Sequence, residues 1–350
     1  MNTSSQRKIH RVSPASEISQ LAREITAALV GDGPTLGFGE ISSEYAPSYA
    51  AVAIGTSGTT STSKEVFLTS MALISSARAS NTQIGAQSGE TWSLLLPLTH
   101  IAAVNVIVRA IELRTTPLDL RDCDGDYPQA DYTAIVPTQL FRALNGDNRL
   151  LNHLKSAKAV LVGGAALSQA LRNQAELTGI KVVTTYGMTE TCGGCVYDGK
   201  ALANVEIDIR NGKICIKGPV LASSIELIEG WFETNDLGEY VNDHLAVIGR
   251  ADDVIISGGE NLSLNAVENS LCLAFPDTQF AAFVIEDPEW GQSLQLAVVG
   301  TISGDQISAH LAKDLGEYAK PKGIHRMTSL PLLGIGKIDR KSLAKGIADE

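Results

Sequence analysis

The sequence predicts an α/β protein. It should comprise a large amino-terminal domain of parallel-rich sheets covered by helices, with a β-rich subdomain, and a small α+β carboxy-terminal domain. Three observations predict this. Short aliphatic runs alternate with helical periodicities up to about residue 184. Between about Cys195 and Ile248 the texture changes to short strands and hairpin turns. From Gly249 a helix–strand–strand–helix pattern occupies the last hundred or so residues, within the usual domain range. The expected boundaries are 1–250 and 251–350.

Glu17 to Val30 carries Ile18, Leu21, Ala22, Ile25 and Leu29 at helical spacing, with Ser16 as its expected cap and Gly31-Asp-Gly-Pro34 as its stop. Ala51 to Ile54 reads as a buried strand, and Ser70 to Ser80 as a helix. Trp92 to Leu96 is a strand broken by Pro97, and His100 to Leu113 is helical. Tyr132 to Val136 is a strand, followed by a helix from Thr138 onward. Ala159 to Val162 and Lys181 to Thr184 are strands flanking a helix at Ser168 to Thr178. Val205 to Arg210 and Lys213 to Lys217 are joined by Asn211-Gly212, a strong hairpin signal, and Leu245 to Ile248 is a further strand. The last portion has helices near 264–274 and 305–318 and strands near 279–285 and 294–299.

In parallel sheets, ligands sit at the carboxyl ends of the strands. The segments 53–64, 97–100, 137–139, 163–165 and 186–190 all follow strands and should share one rim. Composition narrows what that rim binds. A net charge of −11 argues against a nucleic-acid surface but not against a single nucleotide. Hydrophobic residues are 44% and aromatics 5%, so the core should be aliphatic. The start of the chain lacks the apolar core of a signal peptide, and no apolar run approaches the roughly 18 residues that span a bilayer. Five scattered cysteines, with Cys192-Gly-Gly-Cys195 as the one close pair, fit reduced thiols and a cytoplasmic setting better than redox or metal chemistry.

The segment Thr56-Ser-Gly-Thr-Thr-Ser-Thr-Ser-Lys64 can offer backbone N–H groups, hydroxyls and one lysine to oxyanions. Taken alone, it reads equally well as a flexible linker. It resembles the T-S-G-T-T-G-x-P-K phosphate loop of the adenylate-forming superfamily of acyl-CoA ligases, luciferases and peptide-synthetase adenylation domains. Ser61 replaces the usual glycine and Ser63 the usual proline. Further motifs follow in family order: Gly163-Gly-Ala165, Tyr186-Gly-Met-Thr-Glu190, Gly230-Trp-Phe-Glu-Thr-Asn-Asp236, Gly249-Arg-Ala-Asp-Asp253, Ser257-Gly-Gly-Glu-Asn261 and Gly336-Lys-Ile-Asp-Arg340.

By position, the resemblance implies a nucleotide site built from Thr56, Ser57, Gly58, Thr59, Thr60 and Lys64 around the phosphates. Gly163, Gly164, Ala165, Tyr186, Gly187 and Met188 would stand around the adenine and α-phosphate. Thr189 would contact the α-phosphate, and Glu190 would hold magnesium, a metal that prefers oxygen ligands. Asp236 and Arg250 would bind the ribose hydroxyls, Asp252 would be the hinge of a mobile carboxy-terminal lid, and Gly258 and Gly259 would line a coenzyme A tunnel. Lys337 would neutralise charge at the α-phosphate.

Leu96-Pro-Leu-Thr-His100 matches L-P-x-x-H, which makes His100 a wall of the acid pocket or simply a helix-start residue. Arg109 lies in an otherwise aliphatic helix. Either it is buried and a second substrate carboxylate partners it, or it sits on the outer face. Among family members the motifs are most similar to the o-succinylbenzoate–CoA ligases of menaquinone biosynthesis, short forms of which suit this chain's abbreviated amino-terminal part. The implied reactants are ATP, magnesium, coenzyme A and an aromatic dicarboxylic acid, with no nucleic acid and no membrane insertion. The alternatives are a ligase for another aromatic or medium-chain acid, a carrier-protein-loading domain, and a nucleotide-binding relative without catalysis.

Overall fold

The computed structural model describes residues 6–56, 64–257, 260–276, 278–287, 291–332 and 338–348. Its contacts divide the chain into two units. One comprises Met1–Ala166, Ala175–Asp208 and Cys215–Glu233; the other comprises Leu167–Gln174, Ile209–Ile214 and Thr234–Glu350.

The first unit opens with β1 (Gln6–Arg11), α1 (Ile18–Leu29), β2 (Thr35–Phe38), β3 (Tyr45–Pro47), β4 (Ala50–Thr56) and β5 (Lys64–Thr69). The strands form one sheet in the order β3-β1-β2-β4-β5, with the central three parallel and each outer strand antiparallel to its neighbour. The expected stripe of α1 is buried through Ile18, Leu21, Ala22 and Ile25, with Ala28 in place of Leu29. The cap is a correction. Ser16 is not the cap; the carboxylate of Glu17 accepts the N–H groups of Ser19 and Gln20 instead.

Next come α2 (Ser70–Gln83), β6 (Trp92–Leu94), α3 (Ile101–Glu112), β7 (Leu118–Asp119), β8 (Tyr132–Ile135), α4 (Pro137–Leu144), α5 (Asn148–Ser156) and β9 (Ala159–Val162). After them run α6 (Gln169–Leu177), β10 (Val182–Met188), β11 (Gly193–Tyr197) and β12 (Lys200–Ala201). These strands form a second sheet in the order β12-β11-β10-β9-β8-β6-β7. The strands from β10 to β7 are parallel, and β11 and β12 run antiparallel. The single helix expected from Thr138 is two, separated by Gly146 at φ +123° and restarted by an Asp147 cap on the Leu150 N–H.

The expected rim draws on two sheets rather than one. The hydroxyl segment follows β4 of the first sheet, whereas the other four loops belong to the second, and Tyr186 to Met188 are still inside β10. The two sheets nevertheless bring strand ends together. A Cβ on Gly39, which stands at φ +74° just past β2, would lie 3.0 Å from both the Gly55 carbonyl oxygen of β4 and the Thr99 carbonyl oxygen beyond β6.

The chain then forms β13 (Glu206–Arg210) and β14 (Lys213–Lys217), with both Asn211 and Gly212 at positive φ as a tight hairpin turn requires. In the second unit, β15 (Phe232–Val241) and β16 (His244–Arg250) pair antiparallel. They are followed by the hairpin β17 (Val254–Ser257) and β18 (Glu260–Ser263), then α7 (Leu264–Ala274), β19 (Gln279–Asp287), β20 (Gly291–Val299), α8 (Gly304–Asp314), β21 (Gly323–Arg326) and α9 (Arg340–Ala348). The β19-β20-β21 sheet splits its core by period two. Phe280 and Ala282 face α7 and α8, and Ala281 and Phe283 face Leu343 of α9. The helix expected to reach residue 318 stops at Asp314, because Gly316 takes φ +109°. Among the described residues no helix is long and apolar enough to cross a membrane.

Candidate active site

Beside the carboxyl ends of β4 and β10, Lys64 Nζ lies 3.2 Å from Glu190 Oε1. Lys64 opens β5 and Glu190 sits in a short turn, Thr189–Thr191, directly after β10. The lysine side chain is 58% exposed and the carboxylate 17%. Such an exposed pair adds little stability. It does place one cation and one anion side by side, the two kinds of charge that a polyphosphate and a divalent metal call for.

The neighbouring segments approach so closely that side chains are excluded. A Cβ on Gly163 would lie 2.2 Å from Thr185 Oγ1, and one on Gly187 would lie 2.0 Å from the Gly193 carbonyl oxygen. Gly164 holds φ +82°, and Ala165 follows it as an exposed residue. Tyr186 is half-buried, opposite Val196, just before a bulge at Gly187. Thr56 ends β4 and donates its hydroxyl to the Lys64 carbonyl, which closes the base of the hydroxyl segment.

Several supporting residues carry no sequence signal of their own. Glu65 accepts from the Ser42 N–H and hydroxyl and from the Ser43 N–H, pinning the 39–44 loop beside Lys64. Burial alone would raise its pKa, but the hydrogen bonds from Ser43 and Ser42 hold it below the usual value. Gln139 accepts the Val136 N–H and donates to the Leu95 carbonyl, which ties two adjacent strand ends together. Cys192 and Cys195 are buried thiols whose pKa burial pushes up, that of Cys195 to about 12. A thiol so shifted stays protonated and unreactive.

His100 is the residue before α3 and makes no side-chain cap to that helix. Arg109 is buried at 4% exposure rather than on the outer face. It donates to the Tyr197 hydroxyl at 3.1 Å and lies over the Trp92 ring, with its Nε without an acceptor. In the second unit, Asp236 and Arg250 face each other across β15 and β16 with a 3.5 Å ion pair. Asp252 falls in the short turn Ala251–Asp253. Ser57, Gly58, Thr59, Thr60, Gly258, Gly259 and Lys337 lie outside the described residues.

A family profile described as AMP-binding enzyme matches residues 11–225. The chain belongs to the AMP-binding enzyme family. Over 332 residues it is 35% identical to a probable 2-succinylbenzoate–CoA ligase of Mycobacterium tuberculosis, spanning 86% of this chain and 85% of that one. A 2-succinylbenzoate–CoA ligase of Lactococcus lactis is 29% identical, with 87% and 72% covered. Among solved structures, o-succinylbenzoate CoA synthetase from Bacillus subtilis, in complex with its acyl-adenylate intermediate, superposes with a TM-score of 0.74 at 24% identity, covering 96% and 82%. The amide bond synthetase McbA from Marinactinospora thermotolerans does so with 0.75 at 19%, covering 97% and 79%. This AMP-binding enzyme therefore has the predicted α/β fold, and the family resemblance drawn from its motifs holds.

Proposed function

We propose that the chain is an ATP-dependent acid–thiol ligase that adenylates o-succinylbenzoate and transfers the acyl group to coenzyme A. The products are o-succinylbenzoyl-CoA, AMP and pyrophosphate. The observation that carries this reading is the 35% identity to a probable 2-succinylbenzoate–CoA ligase over 86% of a chain that retains Lys64, Thr189 and Glu190.

The residues present fit magnesium bound together with ATP. Glu190, partly exposed directly after β10, would supply one carboxylate to it. Magnesium commonly keeps phosphate oxygens and waters as its other ligands. When bound, it would neutralise charge on the phosphates and orient them.

In the first step a carboxylate oxygen of the acid bonds to the α-phosphorus, and the bond to the bridging oxygen breaks, releasing pyrophosphate. Lys64 holds the outer phosphates, and Thr189 and Lys337 stabilise the charge that develops on the α-phosphoryl oxygens. Asp236 and Arg250 hold the ribose. Gly163 to Ala165 and Tyr186 flank the adenine, and His100 and Gly187 border the acid. Arg109 is buried with a Nε lacking an acceptor, as expected of a cation that receives the acid's second carboxylate. In the second step the coenzyme A thiolate attacks the acyl carbon and AMP leaves. For this the 251–350 lid turns about Asp252, withdraws Lys337 and presents Gly258 and Gly259. The protein does this work in the cytoplasm.

ATP–pyrophosphate exchange over a panel of acids tests the reading. o-Succinylbenzoate should lead the panel, and product analysis should show its coenzyme A thioester. Exchange that responds to another acid but not to this one would replace the substrate. No exchange with any acid would favour a nucleotide-binding relative without catalysis.

A further inference from the structure

We infer that Asn105 and Ser76 are positioning residues that set the Thr189–Glu190 turn for Mg·ATP by holding the Cys192 carbonyl. The inference rests on the reading of Thr189 and Glu190 given above. The Cys192 carbonyl oxygen accepts two side-chain donors from two different helices: Ser76 Oγ of α2 at 3.0 Å and Asn105 Nδ2 of α3 at 2.5 Å. Both side chains are buried, at 0% and 1% exposure, so neither meets solvent at the rim.

The carbonyl they hold belongs to the residue that ends the turn. Cys192 occupies the left-handed region at φ +50°, which a residue with a Cβ adopts at a cost. Its N–H closes onto the Thr189 carbonyl at 3.1 Å. The orientation of this one residue is therefore coupled to the turn that carries Glu190. Thr191 completes the frame, accepting the Met188 N–H while donating toward the Gly193 carbonyl.

Asn105 is a poor choice for packing alone. Its Oδ1 is buried without a partner, a penalty that leucine of similar size would not incur. What the amide supplies is its N–H. The chain accommodates it with a glycine, because a Cβ on Gly193 would stand 2.2 Å from Asn105 Nδ2. A buried donor kept at a desolvation cost, aimed at the one strained residue of the turn, marks positioning rather than space-filling.

The test uses the full chain with Asn105→Leu and Ser76→Ala. Mg·ATP half-saturation in pyrophosphate exchange should rise about tenfold for Asn105→Leu and by less for Ser76→Ala, the range for a residue that orients a ligand-binding group. The Mg·ATP dissociation constant from calorimetry should weaken in parallel. The loss in adenylation should exceed the loss in thioester formation from supplied acyl-adenylate. A change confined to the Michaelis constant of the acid, or equal losses in both half-reactions, overturns the inference. If Asn105→Leu does not fold, Ser76→Ala decides, and unchanged Mg·ATP affinity in it is the overturning result. If the wild type binds Mg·ATP but exchanges with no acid, the substrate reading fails, while the calorimetric comparison still decides this one.

Discussion

Arg109 shows what one residue can reveal. Buried beside Trp92 and Tyr197, it has no carboxylate in an ion pair among the described residues. A desolvated guanidinium in that state offers charged N–H donors to an anion. Arg109→Ala should raise the Michaelis constant for o-succinylbenzoate at least about tenfold, the size of one charge-assisted hydrogen bond. The value for a matched monocarboxylic acid should change far less. Equal shifts for both acids would remove Arg109 from the acid pocket. Gly55 tests a different property, backbone proximity. A Cβ there would lie 2.1 Å from the Glu40 carbonyl oxygen, so Gly55→Ala must move backbone rather than a rotamer. We expect a loss of about 1–3 kcal/mol by thermal unfolding, together with weaker ATP binding at the segment that follows. Wild-type melting would show that the 39–44 loop gives way freely.

Among the elements, α5 is joined to the second sheet by a buried histidine. His153 Nδ1 donates to the Pro128 carbonyl at 2.9 Å, so its Nε2 is left to accept from the Ser93 hydroxyl at 2.8 Å. Burial lowers its pKa below the ordinary 6.5, with the Pro128 bond opposing the shift. The unfolded chain therefore takes up this proton more readily than the folded one. The contribution is present above about pH 6.5 and is lost as pH falls below it, at up to about 1.4 kcal/mol per pH unit. Chemical denaturation across pH 7 to 5 should show that slope, and His153→Gln should flatten it; an unchanged slope would refute the assignment. Elements of this kind were legible to different degrees. The aliphatic strand at 159–162 and the helix at 264–274 appear where their residue patterns put them, because packing and propensity agree there. β1, reading Gln-Arg-Lys-Ile-His-Arg, buries Ile9 alone and offered no alternation to detect. α3 was recognisable as a helix, yet it buries nearly every residue from Ile101 to Ala110. Periodicity therefore could not say which face Asn105 and Arg109 take. The family motifs could be recognised because each is a short local run of residue types, such as Tyr186 to Glu190. The carbonyl clamp on Cys192 was not, because its donors lie 116 and 87 residues away.

For the whole molecule, the proposed reaction asks one chain to perform two chemical steps with one lysine, Lys337, near its carboxyl terminus. The described residues on either side of that lysine are anchored within the second unit. Leu332 bridges Ile338, and the Asp339 N–H donates to the Pro331 carbonyl at 2.9 Å. Arg340 Nη2 grips both oxygens of Glu268 at 2.8 and 2.9 Å, and its Nε donates to the Ala282 carbonyl. Burial pushes the Glu268 pKa up and the Arg340 charge opposes it, so removing the arginine would strand a buried carboxylate. Under the proposed mechanism the step that needs Lys337 and the step that does not would differ in the orientation of the 251–350 portion, whose described residues flanking position 337 are held within the second unit. Lys337→Ala should therefore abolish pyrophosphate exchange while sparing thioester formation from supplied acyl-adenylate. Asp252→Pro should do the reverse, because proline fixes φ and restricts the residue before it, which stiffens the pivot. Measuring both half-reactions in both variants gives four rates. If each variant lowers the two half-reactions by the same factor, the steps do not alternate about residue 252, and the lysine serves throughout the cycle or not at all.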